Sequence, residues 1–386
     1  MSTPEDIPAV LGGAPLFPKG PPEWPGGLPE VRDALVEAWA DGAWGRYDGP
    51  LVETLQQTAA DWLGRQHALG VASGTLGLEL ALKALGVGNP NGNRADNRMG
   101  VALCDYDYPG NFLTIHHLGA VPILVDTDPQ TGQMCPASLA RAMAQSQVPV
   151  KAVVSSILHG SSPDFLAIAS VCEKAGVPLI EDACQAVGGA VGGKRHGSHG
   201  AVSIWSFGGS KLLSAGRGGM VFTDDPGLAQ RMRLANTRGS VVAGLSELQA
   251  AAVLGQWPHL ESRHAQRALE ANALRTALAD VPGVRVPKAM AEPKDAAYYK
   301  FDFWLDAPTE RFEWALSALK NEGLAIDRGF RSLSLGRSPS RFHAPVGLQT
   351  SQTDSPRRVV LHHPVLLDEG AGEKIARAIK RVMERI

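Results

Sequence analysis

Residues 177–225 read VPLIEDACQAVGGAVGGKRHGSHGAVSIWSFGGSKLLSAGRGGMVFTDD. VPLIED has the length and apolar character of a buried strand, and it ends in Glu181 and Asp182. AVSIWSF and GMVFTDD are two more such runs, and between them stands a lone cation, Lys211, among glycines and serines. Taken singly, Asp182 reads as a helix cap or a solvated loop acid. Lys211 reads as a strand-end lysine that snorkels outward. Taken together they put an acid and an amine where open α/β sheets bind ligands, beyond the strand ends.

Working outward, the same alternation continues. HALGVAS, VALCDYD, VPILVDTD and VKAVVSSIL are strand-like. LPEVRDALVEAWAD, GPLVETLQQTAADWLG and GTLGLELALKALGVG have helical spacing, and PDFLAIASVCEKAG is a helix that can begin at Pro163. Strands alternating with helices predict an α/β fold with a mostly parallel, helix-covered sheet. The turn-rich stretch 89–100 reads as a surface loop. Near Gly255 the pattern changes to a long amphipathic helix, a strand YYKFDFWLD and two further helices, which is a smaller α+β unit. The chain therefore divides into an arm rich in Pro and Gly (1–30), a large domain (31–255) and a small C-terminal domain (256–386).

Bulk composition narrows the function. The 386 residues carry a net charge of −2, with 44% hydrophobic and 20% charged residues. That supplies ample core and no basic footprint for nucleic acid or an anionic membrane. No apolar run approaches the ~20 residues of a membrane span. The N-terminus lacks the basic start and apolar stretch of a secretory signal. Cys104, Cys135, Cys172 and Cys184 form no CxxC pair, so a reduced, cytoplasmic setting is expected.

A lysine can form a Schiff base with an aldehyde, and an acid can keep a pyridine nitrogen protonated. Those are the two contacts that pyridoxal 5′-phosphate requires. Gly74 and Thr75 open a helix whose free N–H groups and dipole suit a phosphate, although Ser73-Gly74-Thr75 reads equally well as an ordinary cap. Ser206 can add a hydroxyl. Tyr108 can stack on the ring, with Tyr106 and Phe112 as rivals and core packing as the plainer account of any of them. Gln185 can reach the other face. Other chemistries fare worse. The glycines of 86–92 close a helix where a dinucleotide-binding turn would open one. The pairs His116-His117 and His362-His363 diverge, and His196 and His199 lack further ligands for zinc.

The order of ASGTLGLELAL, DYDYPGNF, GAVPILVDTD, LHG, PLIEDACQAVGG, the SFGGSK block and LSELQAAAVLGQW resembles the DegT/DnrJ/EryC1/StrS aminotransferases. These are fold-type-I pyridoxal-phosphate enzymes that mostly aminate keto-sugars and cyclitols. The resemblance implies Lys211 as the Schiff-base lysine, Asp182 on the pyridine nitrogen, Tyr108 in the stacking position and Gln185 on the ring. It implies Gly74, Thr75 and Ser206 on the phosphate. It also implies a homodimer, an amino donor such as glutamate or glutamine, and a keto acceptor: a nucleotide-sugar, a cyclitol ketone or a small aromatic precursor. Relatives that remove a sugar hydroxyl carry His where Lys211 stands, so transamination is expected. Three positions depart from the pattern. Val242 and Gly244 replace an Asn and an Arg, the Asn being the one that reaches the neighbouring subunit's phosphate, and Arg217 replaces an acid. A lyase-type or non-catalytic binding role is the alternative.

Overall fold

The computed structural model describes residues 6–88, 99–238 and 240–386. Most of the loop expected at 89–100 lies outside them. The main sheet comprises β1 (His67–Val71), β2 (Gly100–Cys104), β3 (Val121–Val125), β4 (Val150–Ser156), β5 (Leu179–Asp182), β6 (Val202–Ser206) and β7 (Gly219–Thr223). Their order is β1-β7-β6-β5-β4-β2-β3. β2 to β6 run parallel, and β7 alone runs against both of its neighbours. The central strands are buried on both faces, which explains their unbroken apolar runs where a half-exposed strand would alternate.

Helices α1 (Pro29–Ala40), α2 (Pro50–Leu63), α3 (Gly74–Ala84), α4 (Pro109–His117), α5 (Pro136–Gln145), α6 (Phe165–Ala175), α7 (Pro226–Ala235) and α8 (Glu247–Gln256) accompany this sheet. Helix α6 starts at Phe165 and not at Pro163, because the Asp164 side chain accepts from the Ala167 N–H and fixes the cap there. Helix α8 packs on α1 and α2 of its own chain, burying Ala250, Ala251 and Val253. Glu247 at its start accepts from the Leu51 and Val52 N–H groups, tying α2 to α8.

Beyond α9 (Leu260–Leu278), a second, antiparallel sheet joins β8 (Val284–Arg285), β9 (Lys300–Leu305), β11 (Arg358–His362) and β10 (Ile326–Arg328), in that order. Helices α10 (Thr309–Asn321), α11 (Gln349–Asp354) and α12 (Ala371–Met383) follow in the chain. Phe301, Phe303, Leu361, Ile375 and Ile379 form its core, separate from that of the main sheet. The two sheets meet at the turn after β4. His159 and Gly160 both take left-handed backbone there. A Cβ on Gly160 would stand 2.3 Å from the Tyr298 nitrogen, so only glycine lets the 297–300 segment dock. The Gly160 and His159 carbonyls accept from Ala297 and Lys300, which delivers Tyr299 and Lys300 to the edge of the main sheet.

Candidate active site

At the carboxyl end of β5 lies a cavity of about 380 Å³. Gly74, Thr75, Tyr108, Asp182, Gln185, Ser206 and Lys211 all line it. Seven residues drawn from five separate stretches of sequence thus converge on one space.

The Asp182 wall is buried. Asp182 is 8% exposed. Its Oδ2 accepts from the Asn111 amide at 2.8 Å, and its Oδ1 from the Cys184 N–H at 3.1 Å. Ser156, at the end of β4, lies 3.4 Å from Oδ2 and donates to Asp107 at 2.7 Å. Asp107, fully buried, is pushed up to about 8, first by desolvation and also by the nearby Asp182 charge.

Helix α3 supplies the second wall. Ser73 caps it through the Leu76 N–H, leaving its first turn open to the cavity. A Cβ on Gly74 would meet Cys184 Sγ at 2.8 Å and Ser206 Cβ at 3.1 Å, so the helix can enter here only as glycine. The Gly216–Gly218 loop bridges to Ser73 and brings the exposed Arg217 to the cavity.

Lys211 sits between both sheets. Its Nζ lies 4.5 Å from the Tyr299 ring centroid. Its peptide carbonyl accepts from the Trp24 indole at 3.0 Å, and the carbonyl of Ser210 bonds the His363 ring at 3.2 Å. Trp24 meets His363 edge-on at 4.4 Å. The N-terminal arm therefore clamps the loop that carries the lysine.

Tyr108 is 43% exposed and faces Phe330 at 6.0 Å. Its rivals are core residues. Phe112 is fully buried, and the Tyr106 hydroxyl is consumed by His159 and the Phe330 N–H. Gln185 is held by its Oε1, which accepts from His159. Val242 and Gly244 line a different cleft, with Tyr47 and Glu53. Sequence reading missed Asn111, Ser156, Tyr299, Lys300 and Phe330. Asn111 alone carried a signal, an amide one turn after Tyr108.

His196 is a buried structural group. His196 bonds the Ser162 hydroxyl at 2.6 Å and lies 3.6 Å from buried Glu181, whose carboxylate accepts from the Gly197, His199 and Gly200 N–H groups. Among the described residues no group of His, Cys, Asp and Glu is placed to hold a metal ion, and no helix is long and apolar enough to cross a membrane.

The chain is similar to known proteins along most of its length. The chain is 30% identical to an L-glutamine:2-deoxy-scyllo-inosose aminotransferase of Streptoalloteichus tenebrarius, over 97% of both chains. It is 31% identical to a pleiotropic regulatory protein of Geobacillus stearothermophilus, over 72% of this chain and 74% of that one. It superimposes on 3-amino-5-hydroxybenzoic acid synthase with a TM-score of 0.83 and 26% identity, covering 95% of this chain and 99% of that one. The model of the DegT/DnrJ/EryC1/StrS aminotransferase family matches residues 29–380, and the chain belongs to that family.

Proposed function

We propose that this protein is a pyridoxal-phosphate-dependent aminotransferase that moves an amino group from glutamine or glutamate to a keto-cyclitol, keto-sugar or related keto acceptor. One observation carries the reading: an amine, a buried carboxylate and an open helix N-terminus share a single cavity. The donor set fits the cofactor's three handles. Lys211 would hold its aldehyde carbon, and Asp182 its ring nitrogen. The first-turn N–H groups of α3, with the Thr75 and Ser206 hydroxyls, would hold its phosphate.

When bound, the cofactor supplies an electron sink that makes a proton on the amine-bearing carbon of a substrate removable. The chain's own residues do the rest. Asp182, fixed by Asn111 and the Cys184 N–H, would keep the ring nitrogen protonated. Tyr108 would close one ring face and Gln185 the other. Lys211 Nζ would be the base that carries the proton. The glutamine preference and the cyclitol class rest on the Streptoalloteichus relative. The 1–30 arm, the 31–255 large domain and the 256–386 small domain would then be clamp, cofactor platform and substrate wall.

The same reading includes a homodimer. Tyr47, 92% exposed, with Val241 and Val242, also exposed, lines the cleft that holds the departing positions. Sedimentation should give twice the chain mass.

A second reading, binding without turnover, is favoured by the regulatory relative. Absorbance separates the two. A yellow protein that bleaches with glutamine and regains colour with a keto-cyclitol supports transamination. A yellow protein that no amine bleaches supports the binding role. A protein that takes up no pyridoxal phosphate, or a Lys211→Ala variant that keeps the wild-type band, overturns both.

A further inference from the structure

Behind Asp182 lies a second acid that the reaction does not call for. Asp107 is fully buried. Its Oδ1 accepts from three donors: the Tyr108 N–H at 2.6 Å, the Ser156 hydroxyl at 2.7 Å and the Asn111 amide at 3.2 Å. Its Oδ2 is buried with no hydrogen-bond partner. All three partners are neutral. Among the described residues, Asp182 on β5 repels the ionised form of Asp107, and the Cys104 thiol on β2, itself pushed up by burial, also feels it. Neither is a cation. A carboxylate charge in this enclosure would be desolvated, half unpartnered and next to its like.

We propose that Asp107 is a positioning residue for the cofactor ring: held as a neutral carboxylic acid, it orients the Asn111 amide that grips Asp182 and the backbone N–H of Tyr108, without placing a second negative charge beside Asp182. The inference rests on the cofactor reading above. It makes one residue the joint between the ring-nitrogen contact and the stacking face. Asn111 reaches both acids from one nitrogen, 2.8 Å from Asp182 and 3.2 Å from Asp107. Tyr108 is the cap residue of α4, so fixing its N–H fixes the helix entry and the ring it carries. The upward shift of Asp107 to about 8 agrees with the neutral form.

The test compares Asp107→Asn, which keeps Oδ1 and cannot ionise, with Asp107→Ala, which removes all three acceptor contacts. At pH 7 the Asn variant should bind pyridoxal phosphate within about twofold of wild type and give the same visible band, and the Ala variant should bind about tenfold more weakly. A readout without cofactor adds the charge state. A group protonated in the folded chain and ionised in the unfolded one loses its contribution as pH rises. Wild-type apoprotein should therefore lose melting temperature from the ordinary carboxylate range up to about pH 8, and Asp107→Asn should lack that component. Equal pH slopes in the two, or an Asn variant as impaired as Ala, would overturn the proposal. Should Asp107→Ala fail to fold, the slope comparison of wild type with Asn still decides. An Asp182→Asn control that leaves affinity and band unchanged would instead sink the cofactor reading, with the apoprotein slope still reporting on Asp107.

Discussion

The two sides of the cavity are built differently. The Asp182 side comes from the ends of β4 and β5 and the first turn of α4, and its polar groups are buried and cross-bonded: Asp107, Asn111 and Ser156 are all at most 5% exposed. The mouth is made of Arg217, Tyr299, Lys300 and Phe330, which come from a glycine loop and the small domain. Burial pulls the Lys300 ammonium down, with Lys211 adding repulsion that the Tyr299 hydroxyl opposes, and Arg217 is exposed. A cross-bonded, buried network fixes its members through several partners each, whereas the exposed Arg217 has room to be replaced. On the proposed function, the inner wall would set the reaction, and the mouth what is brought to it.

The largest effect should come from Lys211, the proposed Schiff-base lysine. Lys211→Ala is expected to lower turnover by at least about a thousandfold and to abolish the cofactor's lysine-bound visible band. Turnover within tenfold of wild type would break the division at its centre. Asp182→Asn should follow, on the order of a hundredfold in turnover with weaker cofactor binding, because an amide cannot hold the ring nitrogen protonated. Asp182 belongs to the inner wall and Lys211 stands where wall and mouth meet, and both substitutions should leave KM less affected than kcat.

The inner wall was also the more readable in sequence, and only in part. Asp182 and Lys211 stand out because an apolar strand ends abruptly beside each, a pattern that period and composition expose. Asn111 and Ser156 do not. A small polar residue in a helix's first turn or at a strand end is ordinarily a cap, and nothing local says that two of them converge on a carboxylate 71 and 26 residues away in the chain. Phe330 is further out of reach. Its place depends on the Tyr106 hydroxyl accepting its N–H across 224 residues, a register set by how the small domain docks. The same docking demoted Tyr106 from stacking candidate to buried support.

That support gives the intermediate test. Tyr106 lies over the Arg358 guanidinium at 4.4 Å, and Arg358 is paired with buried Asp302 and donates to the Gly132 carbonyl. Tyr106→Phe keeps the packing and strips the hydroxyl, leaving the Phe330 N–H and His159 Nε2 without it. Chemical denaturation should show a loss of about 1–3 kcal/mol, with turnover falling less than in the Lys211 or Asp182 variants. A stability change near zero would show that the mouth does not depend on the core beneath it.

Arg217 should give the smallest effect, and its sign tells most about the mouth. Its side chain is exposed and sits on the loop bridged to Ser73, so its field acts through water and is screened over about 8 Å at physiological ionic strength. An exposed charge of this kind contributes little to a bound state. Arg217→Ala is expected to leave kcat within about twofold and to change KM by less than about fivefold. If the group it meets is anionic, such as a substrate carboxylate, KM should rise on mutation, and the difference from wild type should shrink as salt is added. A neutral cyclitol ketone should show no such salt dependence. If Arg217→Ala instead lowers kcat tenfold with a neutral acceptor, the guanidinium acts on the reacting atoms or the cofactor phosphate. The line between the inner wall and the mouth would then have to be redrawn to include the glycine loop.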